Sequence, residues 1–286
     1  MIEKAMAVLA EVQRMLNTAH DDEEEEYESR AHSGVDAAPD WRSRLFVADI
    51  GGRLAVEYYG HNYEERWDTV QTALASAEVA PHIALLRLSG PDDGANGLRS
   101  WDFTTLIGRT PYFPHLTHFH VEPTEPSDHN SSVVEDGQLP TVLAMMPHLR
   151  RLTLPQAPEP ACFALAFDDL CFLRIGMEHL AQSGSLPALV KLDFADSLGP
   201  WLNTTPQPLE WTSTPFSHFE ALLRSNAVPN MAMLFLRNTK FTKDQFQTLQ
   251  SLRRDLQLAA IISPPHVYVR HWDTTRFPYR HVLPVE

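Results

Sequence analysis

The phrase Pro-x-φ-x-x-φ-x-φ, with φ apolar, constrains this chain more than any other feature. It occurs as Pro81-His-Ile-Ala-Leu-Leu-Arg-Leu88, Pro114-His-Leu-Thr-His-Phe-His-Val121, Pro147-His-Leu-Arg-Arg-Leu-Thr-Leu154, Pro187-Ala-Leu-Val-Lys-Leu-Asp-Phe194 and Pro229-Asn-Met-Ala-Met-Leu-Phe-Leu236. The copies are separated by 33, 33, 40 and 42 residues. A strand-like unit repeated at such a period cannot bury its apolar face alone, so neighbouring copies must stack into a solenoid.

Helix-like segments fill the intervals. They run from Leu98 to Ile107, Leu139 to Met146, Phe163 to Ala181, Phe216 to Ser225 and Lys243 to Leu252, and a degenerate last strand follows near Leu256 to Ile262. Alternation of this kind predicts an α/β fold with a parallel sheet on the concave face and helices on the convex face. Upstream, Leu45 to Ile50 and Leu54 to Tyr59 flank Gly51-Gly52, a hairpin signal, and Glu64 to Val79 has helical spacing. The expected organisation is therefore an N-terminal helix and acidic connector (1–40), capping strands and helix (41–80), the solenoid (81–262) and a C-terminal cap (263–286). Two connections, Glu122 to Gln138 and Ser197 to Pro215, exceed turn length and should leave the same edge of the solenoid, where insertions form binding surface.

The phrase resembles the strand segment of leucine-rich repeats, Leu-x-x-Leu-x-Leu, over about residues 80–262. Its proline is read as the stop of the preceding helix. Spacings of 33 to 42 residues exceed the family's usual range of roughly 20–29, and the Asn after the last Leu is replaced by Pro91, Thr124, Ala157, Ser197 and Thr239. The pattern is most similar to short cytoplasmic leucine-rich-repeat proteins of bacteria. That resemblance implies a protein-binding module, in some members an antitoxin.

Charge narrows the partner. With 23 basic against 37 acidic residues the formal charge is −14, which argues against a nucleic-acid binder. Asp21-Asp-Glu-Glu-Glu-Glu-Tyr-Glu28 supplies seven of the acids and reads as a solvated connector after a helix with Ile2, Met6, Leu9, Val12 and Leu16 at helical spacing. No uninterrupted apolar run marks a signal peptide or a membrane span, so a cytoplasmic location without membrane contact is expected. Cys162 and Cys171 have no metal-type spacing and read as buried, inert thiols.

Side chains alternate across a strand, so the x positions beside the second and third φ should line the concave sheet. One row holds Leu85, His118, Arg151, Lys191 and Met233; a second holds Arg87, His120, Thr153, Asp193 and Phe235; a third holds Ser89, Glu122, Pro155, Ala195 and Arg237. Mixed charge with apolar residues suits a protein partner, and the candidate contacts are His118, His120, Glu122, Arg151, Lys191, Asp193, Phe235 and Arg237, joined by Trp201 and Trp211 from the second insertion.

The strongest pattern for catalysis is His118-x-His120-x-Glu122, whose period of two puts metal-ligand types on one face. Its neighbours Leu85, Arg87, Arg151 and Thr153 add no ligand, and Asp168-Asp169 reads as an ordinary acid pair. No nucleophile elbow, phosphate loop, dinucleotide fingerprint or zincin motif occurs. The expected function is thus a non-enzymatic binding solenoid without cofactor or metal, preferably an immunity protein that neutralises a basic toxin. The alternatives are a metal-dependent hydrolase centred on His118, His120 and Glu122, and a structural subunit of a complex.

Overall fold

The structure, a computed structural model, describes residues 2–31, 42–60, 62, 64–91, 98–122, 131–155, 159–175, 186–195, 214–237 and 241–261. The chain opens with helix α1 (Ile2–Ala31) and a hairpin of β1 (Arg44–Asp49) and β2 (Leu54–Tyr59), followed by α2 (Glu64–Leu74) and β3 (Ile83–Ser89). Next come β4 (Leu98–Trp101), α3 (Thr104–Arg109), β5 (His118–Val121), β6 (Ser131–Val134), α4 (Leu139–Ala144) and β7 (Arg151–Thr153). The remainder comprises β8 (Phe172–Ile175), β9 (Lys191–Ala195), α5 (Phe216–Arg224), β10 (Met233–Arg237), α6 (Lys243–Leu252) and β11 (Gln257–Ile261).

Nine strands form one open sheet in the order β1-β2-β3-β5-β7-β8-β9-β10-β11, while β4 and β6 form a separate pair. Among the described residues only β1 and β2 pair antiparallel and every other pairing is parallel. The hairpin turn places Gly51 at φ 66° and Gly52 at φ 83°, the two successive positive values a tight two-residue hairpin requires. Among the described residues no helix is long and apolar enough to cross a membrane.

The proline of the phrase has a different role from that of a helix stop. In successive copies the N–H of the first φ residue donates to the carbonyl three residues earlier: Leu116 to Phe113, Leu149 to Met146, Leu189 to Leu186 and Met231 to Val228. This closes a β-turn with Pro at its second position, where a fixed φ is favoured. The turn aims the chain into the sheet, and the second and third φ side chains then enter the core: Leu86 and Leu88, Phe119 and Val121, Leu152 and Leu154, Leu192 and Phe194, Leu234 and Leu236. Each such burial contributes on the order of 1.5–3 kcal/mol.

Three features depart from the sequence reading. Where the structure describes it, the helix expected over Phe163 to Ala181 is a short 3-10 turn (Pro160–Ala164) followed by strand β8, and 176–181 lie outside the described residues. Asp168-Asp-Leu-Cys-Phe-Leu-Arg-Ile175 is a copy of the phrase with Asp where the others have Pro: Leu170 donates to Phe167 O in the same turn, and β8 pairs with β7 on one side and β9 on the other. Most residues tolerate that turn position, so Asp168 keeps the geometry without the proline signal. The copies from 147 to 187 are therefore spaced 21 and 19 residues, not 40.

Second, the helix expected from Leu98 is strand β4 before a short α3, and the long connection after Glu122 contains β6. Trp101 accounts for this, because its fully buried ring needs a strand to carry it into the aromatic cluster beside Tyr58 and Trp67, with centroids 6.3 and 5.3 Å away. Phe103 extends the cluster from Trp67 to Phe119.

Third, α1 runs through the acidic stretch instead of ending before it. Seven acids at the C-terminal end of a helix oppose its dipole. Cations from elsewhere offset this: Arg42 reaches Asp21 at 2.6 Å and Glu24 at 3.1 Å, and Arg66 pairs with Glu23. The buried stripe of α1 is Ala5, Leu9, Val12 and Leu16, while Met6 lies on the exposed side. Of the cysteines, Cys162 is buried, with its thiol pushed up to about 12 by burial and by Glu159, whereas Cys171 is only half-buried. The segments 197–213 and 263–286 lie outside the described residues.

Candidate functional site

The strand residues that alternate with the core positions form the face of the sheet turned away from the helices. Register fixes their order. Across β3, β5, β7, β8, β9 and β10 the first row reads Leu85, His118, Arg151, Phe172, Lys191 and Met233, and the second Arg87, His120, Thr153, Arg174, Asp193 and Phe235. Arg174 is one member that the sequence reading missed, because its strand was read as helix, and the other is Phe172. It stands at the middle of the face.

Around it the side chains form a cation–aromatic cluster. The Lys191 ammonium sits 5.1 Å from the Phe172 ring centroid and 4.5 Å from that of Phe235, and the Arg151 guanidinium is 5.8 Å from Phe172. Each contact of this kind contributes about 0.5–1 kcal/mol at an exposed site, and the rings restrict where the cations can point. Arg151 and Met233 are exposed; His118, His120, Phe172, Lys191 and Phe235 are half-buried. His118, His120, Arg151 and Phe172, together with Arg87 and Asp193, border a depression of about 200 Å³.

The polar members divide by burial. Arg87 lies 3.5 Å from Glu57 on β2, a pair almost wholly enclosed, so this cation is committed within the sheet. Asp193 is 4% exposed and lies opposite Arg174 in register. Little of its carboxylate is therefore presented to a partner. His118 bonds through Nδ1 to the Thr117 hydroxyl at 2.8 Å, and burial, with Arg151 and Arg150 nearby, holds its imidazole below the ordinary histidine range. Neutral at pH 7, it can donate or accept a hydrogen bond without adding charge.

Glu122 does not join the two histidines. Its carboxylate accepts from Gly90 N–H at 3.3 Å and lies 3.5 Å from the Arg99 guanidinium, and both side chains of the pair are buried. Arg99 also donates to the carbonyls of Gly90 and Pro91, at 3.0 and 2.9 Å, so the group clamps β4 onto the ends of β3 and β5. Gly90 is required there, because a Cβ would strike the Gly60 carbonyl. Among the described residues no three His, Cys, Asp or Glu side chains form a group able to hold a metal ion. Of the remaining candidates, the backbone of Arg237 ends β10, and Trp201 and Trp211 lie outside the described residues.

What the face offers chemically is two cations held over aromatic rings, two imidazoles and an apolar margin at Met233. No protein-family model, curated protein or solved structure matches the chain.

Proposed function

We propose that the chain is a leucine-rich-repeat-like solenoid that binds one protein partner on the open, concave face of its sheet, without catalysis. The reading is carried by the in-register row Arg151, Phe172, Lys191 with Phe235 beside it. Arginine and large aromatic side chains dominate binding energy at protein interfaces, and here they are pre-arranged on main chain that cannot shift without breaking sheet pairing. The repeated turn and the consecutive strand order support the solenoid.

In its narrowest form the partner is a toxin and the chain its cytoplasmic immunity protein. The open-face cations suit an acidic or aromatic element of that partner, so the overall charge of −14 is a poor guide to what docks there. The hydrolase alternative is weaker, since Glu122 is engaged by Arg99 and Gly90.

Affinity capture from the source cell, with the wild-type chain and with Arg151→Glu and Lys191→Glu as parallel baits, tests the reading. A protein retained by the wild type and lost from both variants is expected. Recovery of the same set by all three baits would overturn it. For the toxin form, co-expression with the captured protein must relieve that protein's toxicity, and must fail to do so with Lys191→Glu.

A further inference from the structure

A second surface lies between α1 and α2, away from the open face. Its floor is apolar: Val8, Val12 and Met15 follow one another at helical spacing along α1, and Ala73 faces them from α2. Met15 is 49% exposed despite lying in this stripe. Charges of one sign border the groove, with Glu11 from α1, Glu65 and Asp68 from α2, and Glu78 from the turn beyond it. Among the described residues no Lys, Arg or His lines it. Its volume is about 950 Å³. Beyond Met15 a second depression continues it past Asp22 and Glu23, where the first cation, Arg66, is already paired with Glu23.

We infer that this groove is a docking site for a basic amphipathic helix of a protein partner, its Leu, Met or Phe stripe laid on Val8, Val12 and Met15 and its Lys or Arg flanks set against Glu11, Glu65 and Glu78. Charge selects the occupant. A second copy would bring the same acids face to face across an isologous contact, where like charges repel. An uncharged helix would satisfy the floor and leave the carboxylates with water alone. A helix in a groove also fits the chemistry, because its backbone polar groups are satisfied internally and only its side chains need partners. Glu11 is partly offset by Arg14 on the next turn, so Glu65 and Glu78 are the strongest attractors.

Binding of a fluorescein-labelled 18-residue helix of Leu and Lys, amphipathic by design, to the full chain tests this by fluorescence anisotropy. Two comparison peptides accompany it: one with Glu for every Lys, the other with the same composition scrambled so that no apolar stripe forms. The Lys peptide should bind with Kd on the order of 10 μM, and both comparison peptides at least ~10-fold more weakly. Met15→Gln should weaken the Lys peptide about 5-fold, and Glu65→Gln with Glu78→Gln about 10-fold, with the salt dependence reduced. Asp244→Asn with Asp255→Asn removes equal charge at and just beyond α6 and should change nothing.

Equal binding of the scrambled peptide, equal loss with the α6 variant, or indifference to Met15→Gln would each overturn the proposal. So would concentration-dependent dimerisation abolished by Met15→Gln. Arg151→Glu must leave peptide binding intact, so a failure here and a failure of the open-face reading are told apart.

Discussion

The open face of the sheet and the groove between α1 and α2 are both exposed and both have an apolar component, yet they carry opposite charge. On the sheet, Arg151 and Lys191 stand over Phe172 and Phe235. Along the helices, Glu11, Glu65, Asp68 and Glu78 ring Val8 and Met15. A chain of net charge −14 therefore presents a cationic surface in one place and an acidic one in another. The lesson is that net charge describes solubility and long-range steering, whereas recognition is set by which side chains a fold's local periodicity collects. A period of two gathers the cations on strands. A period near 3.6 gathers the acids around a helical stripe.

The comparison breaks most completely if α1 is detached. Leu9 on the inner face of α1 is fully buried, and Leu9→Ala should cost about 4 kcal/mol, near the upper part of the range for such truncations, measured by urea unfolding. At temperatures where the chain remains folded, the groove should lose its basic peptide while open-face binding survives. Equal loss at both surfaces would show that they are one cooperative unit.

Next in size is the buried pair that ends the open face. Arg99→Met removes the guanidinium from Glu122, and destabilisation of about 3 kcal/mol is expected, at the low end for a broken buried pair because Glu122 keeps the Gly90 N–H. Arg99→Met with Glu122→Leu should recover more than half of that loss. If the double variant is as unstable as the sum of the singles, the pair is not coupled and the clamp lies in Arg99's bonds to Gly90 and Pro91.

Phe172→Ala sharpens the contrast in function. It removes the ring shared by Arg151 and Lys191, and should cost about 1–2 kcal/mol of stability but at least ~10-fold in open-face binding, with groove binding unchanged. Phe172 also shows where sequence legibility ended. Strands β3, β5, β7, β9 and β10 were readable because Pro at the second turn position and three apolar residues recur together. Strand β8 has the same turn and the same apolar residues, but Asp168 hides the first signal, and the nearby Phe163 to Phe167 run suggests a helix.

Arg151, Lys191 and Phe235 were placed on the correct face by alternation alone. The burial of Glu122 was not legible, since it depends on a group distant in sequence, Arg99 on β4. Strand β4 was hidden because Trp101 belongs equally to a helical stripe, and only Tyr58 and Trp67, brought in by the larger sheet, decide for a strand.

The smallest effect is a pH dependence confined to the open face. Burial, Arg151 and Arg150 hold His118 below the ordinary histidine range in the folded chain, so the unfolded chain takes up the proton first as pH falls. The contribution of His118 to stability is thus fully present above the ordinary histidine value and is lost on acidification through it toward the folded value. His118→Gln cannot titrate. The melting temperature of the wild type relative to His118→Gln should therefore be highest near pH 8 and should decline between pH 7 and 5. A difference that rises on acidification would mean that an acidic group dominates around His118. The cations at Arg151 and Lys191 would then be balanced within the face and unavailable to a partner, removing the contrast in charge with the α1–α2 groove.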